Sequence, residues 1–357
     1  MNAPPIPSPH WLPAPSPRVR QQSHIVRVGV IGYGYWGPNV ARNLDSADHS
    51  QLVALCDLHP LARDTAAKNH IRARVCGNVD DILTARDIDA VAIVTPVSSH
   101  FELAKAALDN GKHVFVEKPF TASVGQAQEL IDIADRKKLT IMVDHTFLFT
   151  GAVRKIRSLI DDGSLGSLYY YDSTRVNLGL FQHDVNVIWD LAPHDLAIMD
   201  YLLQDCPEAV IATGTNHLNG KADVAFLTVY FPGKTIAHIN VNWLSPVKVR
   251  TTLIGGAKKM LVWNDLEADE KIRVYDRGVH MASGPGVYDL LVSYRSGDMW
   301  APKIEQREAL RTELDHFVEC ITQGKTPLND GYAGLRVVRL LEAADRSLAA
   351  RGALVQL

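Results

Sequence analysis

Apolar positions along this chain follow two regimes. From Ile25 to Val143, short apolar runs alternate with longer segments of mixed, helix-like pattern. The runs 25–31, 51–56, 73–76, 90–95, 113–117 and 139–143 predict strands, and 36–45, 60–69, 79–85, 99–110 and 123–138 predict helices. Pro60 suits a first helical turn and Asn110-Gly111 a helix stop. Such alternation predicts a doubly wound parallel sheet with helices on both faces. Ligands bind these sheets beyond the carboxyl ends of the strands, where Gly32, Asp57, Thr95, Glu117 and Asp144 fall.

After about residue 146 the period changes. A helix is expected over 150–161, a strand over 168–178 and a helix from about 190 to 204. Alternating runs follow at 209–217, 222–231, 235–244, 248–255 and 259–264; Val224, Phe226, Thr228 and Tyr230 show the period of two. Asn219-Gly220, Pro232-Gly233 and Gly255-Gly256 supply turns between them. This predicts an open, mostly antiparallel sheet flanked by helices, the last two near 305–323 and 332–350. The stretch 277–302, rich in glycine and polar residues, reads as a long loop. The expected division is a tail over 1–24, a dinucleotide-binding domain over 25–146 and an α+β domain over 147–357.

The glycines set the first chemistry. Gly32-Tyr33-Gly34-Tyr35-Trp36-Gly37 follows the strand Ile25–Ile31 and opens a helix, and Asp57 lies 20 residues beyond Gly37 at the end of the next apolar run. In such a fingerprint the first glycine permits a tight turn, the second lets backbone approach a pyrophosphate, and the third lets helix pack on strand. The helix N-terminus offers unpaired N–H groups to the phosphates. A carboxylate at Asp57 accepts from the adenosine ribose and repels a 2′-phosphate, and the first arginine after it is only Arg63, so NAD is favoured over NADP.

Composition narrows the remaining choices. Of 357 residues, 46% are hydrophobic and 22% charged, with formal net charge −3, as expected of a globular protein of about two domains. With no basic run, nucleic acid is not an expected partner; no apolar run approaches the ~20 residues that span a membrane. Cys56, Cys76, Cys206 and Cys320 lack metal-ligand spacing, so neither a disulfide framework nor a metal is expected, and a reducing cytoplasm fits. Met1 to Pro17 holds seven prolines and reads as a flexible tail without an export signal, able to drape on a neighbouring subunit through Trp11 and Leu12.

Two further groups could carry chemistry. Glu117-Lys118-Pro119 ends the fifth strand, putting an ammonium where the nicotinamide end of a dinucleotide should lie, able to stabilise a developing alkoxide. Asp190-Leu191-Ala192-Pro193-His194 reads as a helix start with Pro193 in its first turn, Asp190 and His194 sharing one face. A histidine there suits proton exchange near neutral pH.

Together with Thr95-Pro96 and His100, these motifs resemble the glucose-fructose oxidoreductase / inositol dehydrogenase / rhizopine-catabolism (Gfo/Idh/MocA) family over roughly residues 25–350. The resemblance implies a Rossmann domain followed by an open sheet domain, and an NAD-dependent oxidoreductase acting on a sugar hydroxyl. It implies Lys118, Asp190 and His194 as catalytic trio, with Asp190 fixing the geometry and either His194 or Lys118 as base. It also implies Gly32 to Gly37, Asp57, Thr95, Pro96, His100, Glu117 and Lys118 at the cofactor. Substrate contacts are expected from Lys118, His145, Arg175, Asn177 and His194, with Arg175 suited to a carboxylate or phosphate. Strings such as Asp144–Phe149, Asp184–Asp190 and Thr312–Phe317 are similar to members acting on nucleotide sugars, UDP-N-acetylglucosaminuronate 3-dehydrogenases. A cyclitol or free-sugar dehydrogenase, redox-assisted glycoside cleavage and a non-catalytic NAD-binding regulator are alternatives. Homodimers or tetramers through the second sheet are implied, and apolar residues on both alternating sets (Ile236, Ala237 and Ile239; Leu227, Val229 and Phe231) point the same way.

Overall fold

The apolar run before the glycines, β1 (Val26–Ile31), lies inside the first sheet of the computed structural model, which describes residues 25–179, 185–218, 220–282 and 291–357. The chain continues through α1 (Gly37–Ser46), β2 (Ser50–Cys56), α2 (Pro60–Asn69), β3 (Arg74–Cys76), α3 (Asp80–Leu83), β4 (Ala90–Ile93), α4 (His100–Asp109), β5 (His113–Val116), α5 (Val124–Lys137) and β6 (Ile141–Val143). The strands pair in parallel in the order β3-β2-β1-β4-β5-β6. The order reverses between β1 and β4, which opens a crevice at their carboxyl ends. Val28, Val30, Val91, Ile93, Val114 and Val116 are all buried there, which is why these strands read as continuous apolar runs.

A short 3-10 turn (Thr146–Phe149) leads into α6 (Gly151–Asp161), β7 (Leu168–Leu178) and α7 (Val187–Leu203). Next come β8 (Ala209–Thr215), β9 (Val224–Tyr230), β10 (Ile236–Asn242), β11 (Leu244–Gly256), β12 (Met260–Asn264), β13 (Ile272–Ala282) and β14 (Leu291–Trp300). The chain ends with α8 (Ala309–Gln323), α9 (Gly331–Ala349) and β15 (Val355–Gln356). Among the described residues the second sheet has nine strands, ordered β14-β13-β12-β11-β7-β10-β9-β8-β15, and only the β7–β10 pairing is parallel. α7 and α9 lie on one face of it, while α8 packs on the 146–149 turn, α1 and β1. A bridge from Met142 to Asp330, with Val143 N–H donating to Asn329 O at 2.9 Å, stitches the edge of the first sheet to the start of α9.

Two expectations change. The 277–302 loop is mostly strand, because β13 and β14 pair antiparallel from Val274–Trp300 to Ala282–Leu291; residues 283–290 lie outside the described set. These outer strands leave side chains such as Tyr294 and Met299 exposed, so no apolar alternation marks them. α7 begins three residues earlier than Asp190: Asn186 caps it, its Oδ1 accepting from Ile188 N–H (3.0 Å) and Trp189 N–H (3.1 Å), which leaves Pro193 inside the helix. The apolar residues of β9 and β10 do fall on both alternating sets, with Phe226 and Ile236 on the open one. Leu227, Val229, Ala237 and Ile239 all point to the buried face, and Phe231 is buried too. The other face carries Phe226, Thr228, Tyr230, Ile236, His238 and Asp172, and among the described residues no helix covers it. The tail, Asp184 and Asn219 lie outside the described residues.

Candidate active site

The glycine loop divides its roles as its sequence predicts. Gly32 has φ of +99°, and a Cβ there would come within 2.2 Å of Val94 O; a Cβ on Gly37 would come within 2.4 Å of Gly32 O. Those two positions serve the turn and the packing of α1 on β1. A Cβ on Gly34 would meet nothing within 4 Å. Its backbone faces open space before the α1 N-terminus, the cradle a pyrophosphate requires. Asp57 ties this loop to the end of β2. Its Oδ2 accepts from Tyr33 N–H (2.7 Å) and its Oδ1 from His59 N–H (2.8 Å), and the residue stays partly exposed. Arg63 Nη1 donates to the carbonyls of Asp57 (3.0 Å) and Leu58 (2.9 Å). The residues present therefore fit NAD. Asp57→Ser is expected to relax the preference for NAD over NADP by removing repulsion of the 2′-phosphate; wild-type protein binding NADP as tightly as NAD in a fluorescence titration would contradict it.

Side chains around the loop differ in use. Tyr35 is 96% exposed, whereas Tyr33 is buried, its ring edge-on to His70, so only its backbone reaches the cofactor side. Trp36 Nε1 donates to Asp144 Oδ2 at 3.2 Å, joining the loop to the end of β6. Thr95 and Pro96 sit at the crevice, half-buried and exposed. His100 does not: its side chain is fully buried, with Nε2 2.8 Å from Thr95 O and Nδ1 2.8 Å from Pro119 O. It braces the two loops that end β4 and β5 and is not a cofactor contact.

Glu117, Asp144 and Glu313 form an acidic cluster beside the crevice, with Asp144 and Glu313 buried and Glu117 partly so. Glu117 Oε2 accepts from Lys118 N–H (3.0 Å). Thr146 Oγ1 hydrogen-bonds to both Asp144 and Glu313 (2.8 Å to the latter), and Asn329 Nδ2 donates to Glu313 Oε1 (2.8 Å). Burial, then the neighbouring Asp144 carboxylate, holds both Glu117 and Glu313 well above the usual carboxylate range.

The catalytic candidates converge from both halves of the chain. Lys118, on a cis Lys118–Pro119 peptide, donates from Nζ to Asp190 O at 2.9 Å and lies 3.6 Å from Asp190 Oδ1. Asp190 Oδ2 accepts from Trp243 Nε1 at 3.0 Å. Asp190 therefore orients Lys118, while no hydrogen bond joins it to His194 on the same helical face. His194 packs its ring edge against Phe147 (centroids 4.9 Å apart), and its Nδ1 is buried without a hydrogen-bond partner. Burial first, then Lys118, Arg175, His145 and Arg250, push this imidazole well below its ordinary value.

Arg175 is not the open anion contact it was expected to be. Its Nε donates to Asp195 Oδ2 at 2.5 Å, both side chains are about 5% exposed or less, and its guanidinium lies 4.5 Å from the Phe147 centroid. Arg250 stands 5.6 Å from the same ring and 3.5 Å from Asp265. Asn177, half-buried, shares the Arg175 face of β7 two residues nearer Trp243. His145 is 2% exposed, with both ring nitrogens buried, and it lines a cleft beside α7. Asp195, Trp243, Phe147 and Arg250 were missed: their partners lie 15 or more residues away, so no local spacing announces them.

A phosphate cradle on a doubly wound sheet, a lysine at its carboxyl edge and a facing histidine define an NAD-dependent oxidoreductase. The family model for the oxidoreductase NAD-binding Rossmann fold matches residues 26–145, and that for the Gfo/Idh/MocA C-terminal domain matches 153–262. The chain belongs to the Gfo/Idh/MocA oxidoreductase family. It is 30% identical over 323 residues to a UDP-N-acetylglucosamine 3-dehydrogenase of Acidithiobacillus ferrooxidans, covering 88% of this chain and 94% of that one. It is 26% identical to a scyllo-inositol 2-dehydrogenase (NAD(+)) of Bacillus subtilis over 85% and 89% of the two chains. A solved structure of the Acidithiobacillus enzyme superposes with a TM-score of 0.78 at 26% identity, covering 91% of this chain and 98% of that one.

Proposed function

We propose that the protein is a dehydrogenase for a secondary alcohol of a sugar or nucleotide sugar, with the 3-hydroxyl of a UDP-linked amino sugar as first candidate. The observation that carries this reading is the convergence of Lys118 with Asp190 of α7, one helical turn from His194, at the carboxyl edge of the first sheet. Gly32 to Gly37, Asp57, Thr95, Pro96 and Glu117 would hold the dinucleotide. When bound, NAD⁺ supplies the acceptor for the hydride. Lys118, held by Asp190, donates a hydrogen bond to the reacting oxygen and stabilises the alkoxide that develops there. His194 takes the hydroxyl proton. Burial first, and then its cationic neighbours, keep it neutral and able to accept, and those cations favour the alkoxide. Asn177 remains the candidate for orienting the rest of the substrate. An NADH-linked screen of nucleotide sugars and cyclitols tests this; the scyllo-inositol relative makes cyclitols the second reading. No NADH from either class would sink both.

The pH profile should carry the signature of His194. An ordinary histidine is half-protonated near pH 6.5. Because the folded-state value is depressed, the base stays neutral as pH falls through that point. The acid limb of kcat/KM is therefore expected below 6.5. A limb at or above 6.5 would assign the proton to another group.

The uncovered face of the second sheet supports a homo-oligomer. Phe226 and Ile236 are about 40% exposed there, beside the Asp172–His238 pair. Wild-type protein is expected to sediment above its 39.4 kDa chain mass, and Phe226→Lys with Ile236→Lys is expected to release monomers. A wild-type monomer at micromolar concentration would refute the assembly.

A further inference from the structure

α7 carries a stripe that crosses from the active site to a second opening. Asp190, His194, Ala197 and Tyr201 recur at three- and four-residue spacing and so share one helical face. Asp190 and His194 belong to the site. Ala197 and Tyr201 line a cleft of about 530 Å³ between α7, α9 and the 146–149 turn. Ala197 stands only one turn past His194, about 4.5 Å along the helix axis.

His145 stands at the divide. It lines the cleft with Ala197 and Leu148, and both its ring nitrogens are buried without a hydrogen-bond partner. Unpaired buried polar atoms are costly, so two on one ring call for a reason. His194 Nδ1 is a third such atom, and no carboxylate holds it, since Asp190 is engaged with Lys118 and Trp243. His145 and Ala197 line the same cleft, and Ala197 stands three residues past His194 on α7, which puts both imidazoles beside the same divide. The cleft is polar: Asp200 and Arg336 pair across it at 2.8 Å, and Asp205, Cys206 and Tyr201 complete its titratable lining.

We infer that His145 is a proton relay, carrying to the cleft behind α7 the proton that His194 takes from the substrate hydroxyl. The inference rests on the dehydrogenase reading. Oxidation leaves one proton to dispose of while cofactor and substrate occupy the crevice. In the relay, the hydroxyl proton goes to His194 Nε2 and the Nδ1 proton leaves toward His145, directly or through a water. One His145 nitrogen accepts; the other, buried at rest, releases its proton to water in the cleft when the ring turns toward it, and the tautomers reset when product departs. A neutral ring with one donor and one acceptor nitrogen suits this task. Burial, then Lys118, pushes the His145 imidazole down to about 3, so the proton does not rest there.

The test has a readout independent of turnover. Diethyl pyrocarbonate acylates neutral imidazole. With NADH bound at the front, peptide mapping by mass spectrometry is expected to find His145 modified, and Ala197→Leu or Ala333→Leu, which fill the cleft from opposite walls, are expected to abolish the modification. In kinetics, His145→Gln is expected to lower turnover about tenfold or more, with NADH affinity unchanged and activity restored by added imidazole, but not when Ala197→Leu is also present. An unmodified His145 in the NADH complex, modification that survives both filling variants, or a His145→Gln enzyme indifferent to imidazole would overturn the relay. A wild-type protein that forms no NADH from any alcohol refutes the dehydrogenase reading instead, and the labelling still decides whether the cleft reaches His145.

Discussion

Lys118→Ala and His194→Ala are each expected to lower kcat by about 10²-fold or more, with NADH affinity changed only a few-fold. The affinity should hold because the glycine loop and Asp57 make their contacts without either side chain. Lys118→Ala removes the donor that Asp190 aims from 2.9 Å and 3.6 Å, so the alkoxide develops without its nearest cation. His194→Ala removes the group proposed to take the hydroxyl proton. Lys118→Arg is not a rescue, since a forked guanidinium does not reproduce a point donor. Near-normal turnover in both alanine variants, measured with the substrate found in the screen, would return the chain to a non-catalytic NAD-binding role.

Asp195→Ala is expected to cost about 3–5 kcal/mol of stability, because it strands the Arg175 guanidinium in the interior. The pair is almost wholly buried, and Arg175 also lies on Phe147 beside His194. Solvent cannot replace Asp195 there, and Arg250 is a second cation against the same ring. The comparison variant is Arg175→Met with Asp195→Leu, which removes both charges and should be far less damaging. Chemical denaturation midpoints separate the cases. If Asp195→Ala lost less than about 1 kcal/mol, the pair would be acting as a solvated surface bridge. Because Arg175 helps depress His194, the double variant should also move the acid limb of kcat/KM upward toward 6.5.

The amino-acid sequence by itself determined the elements whose cause is local. Strands buried on both faces must be continuously apolar, so β1, β2, β4 and β5 are legible. A backbone with φ of +99° needs the glycine at 32, and a helix packed against Gly32 O needs the one at 37. Lys118 was legible because a strand end fixes where the next residues emerge. Spacing on α7 correctly grouped Asp190 with His194 but could not say what each would face. Only the tertiary structure decided that Asp190 holds Lys118 and Trp243, that Arg175 is sealed with Asp195, and that His100 and His145 turn inward. These outcomes depend on which buried donors and acceptors meet across the fold, and a polar side chain's partner is set by packing between distant segments. The edge strand β14 and the part of β13 beyond Val274 escaped for the same reason: side chains exposed at the rim of a sheet need no apolar alternation, and only the pairing identifies these strands.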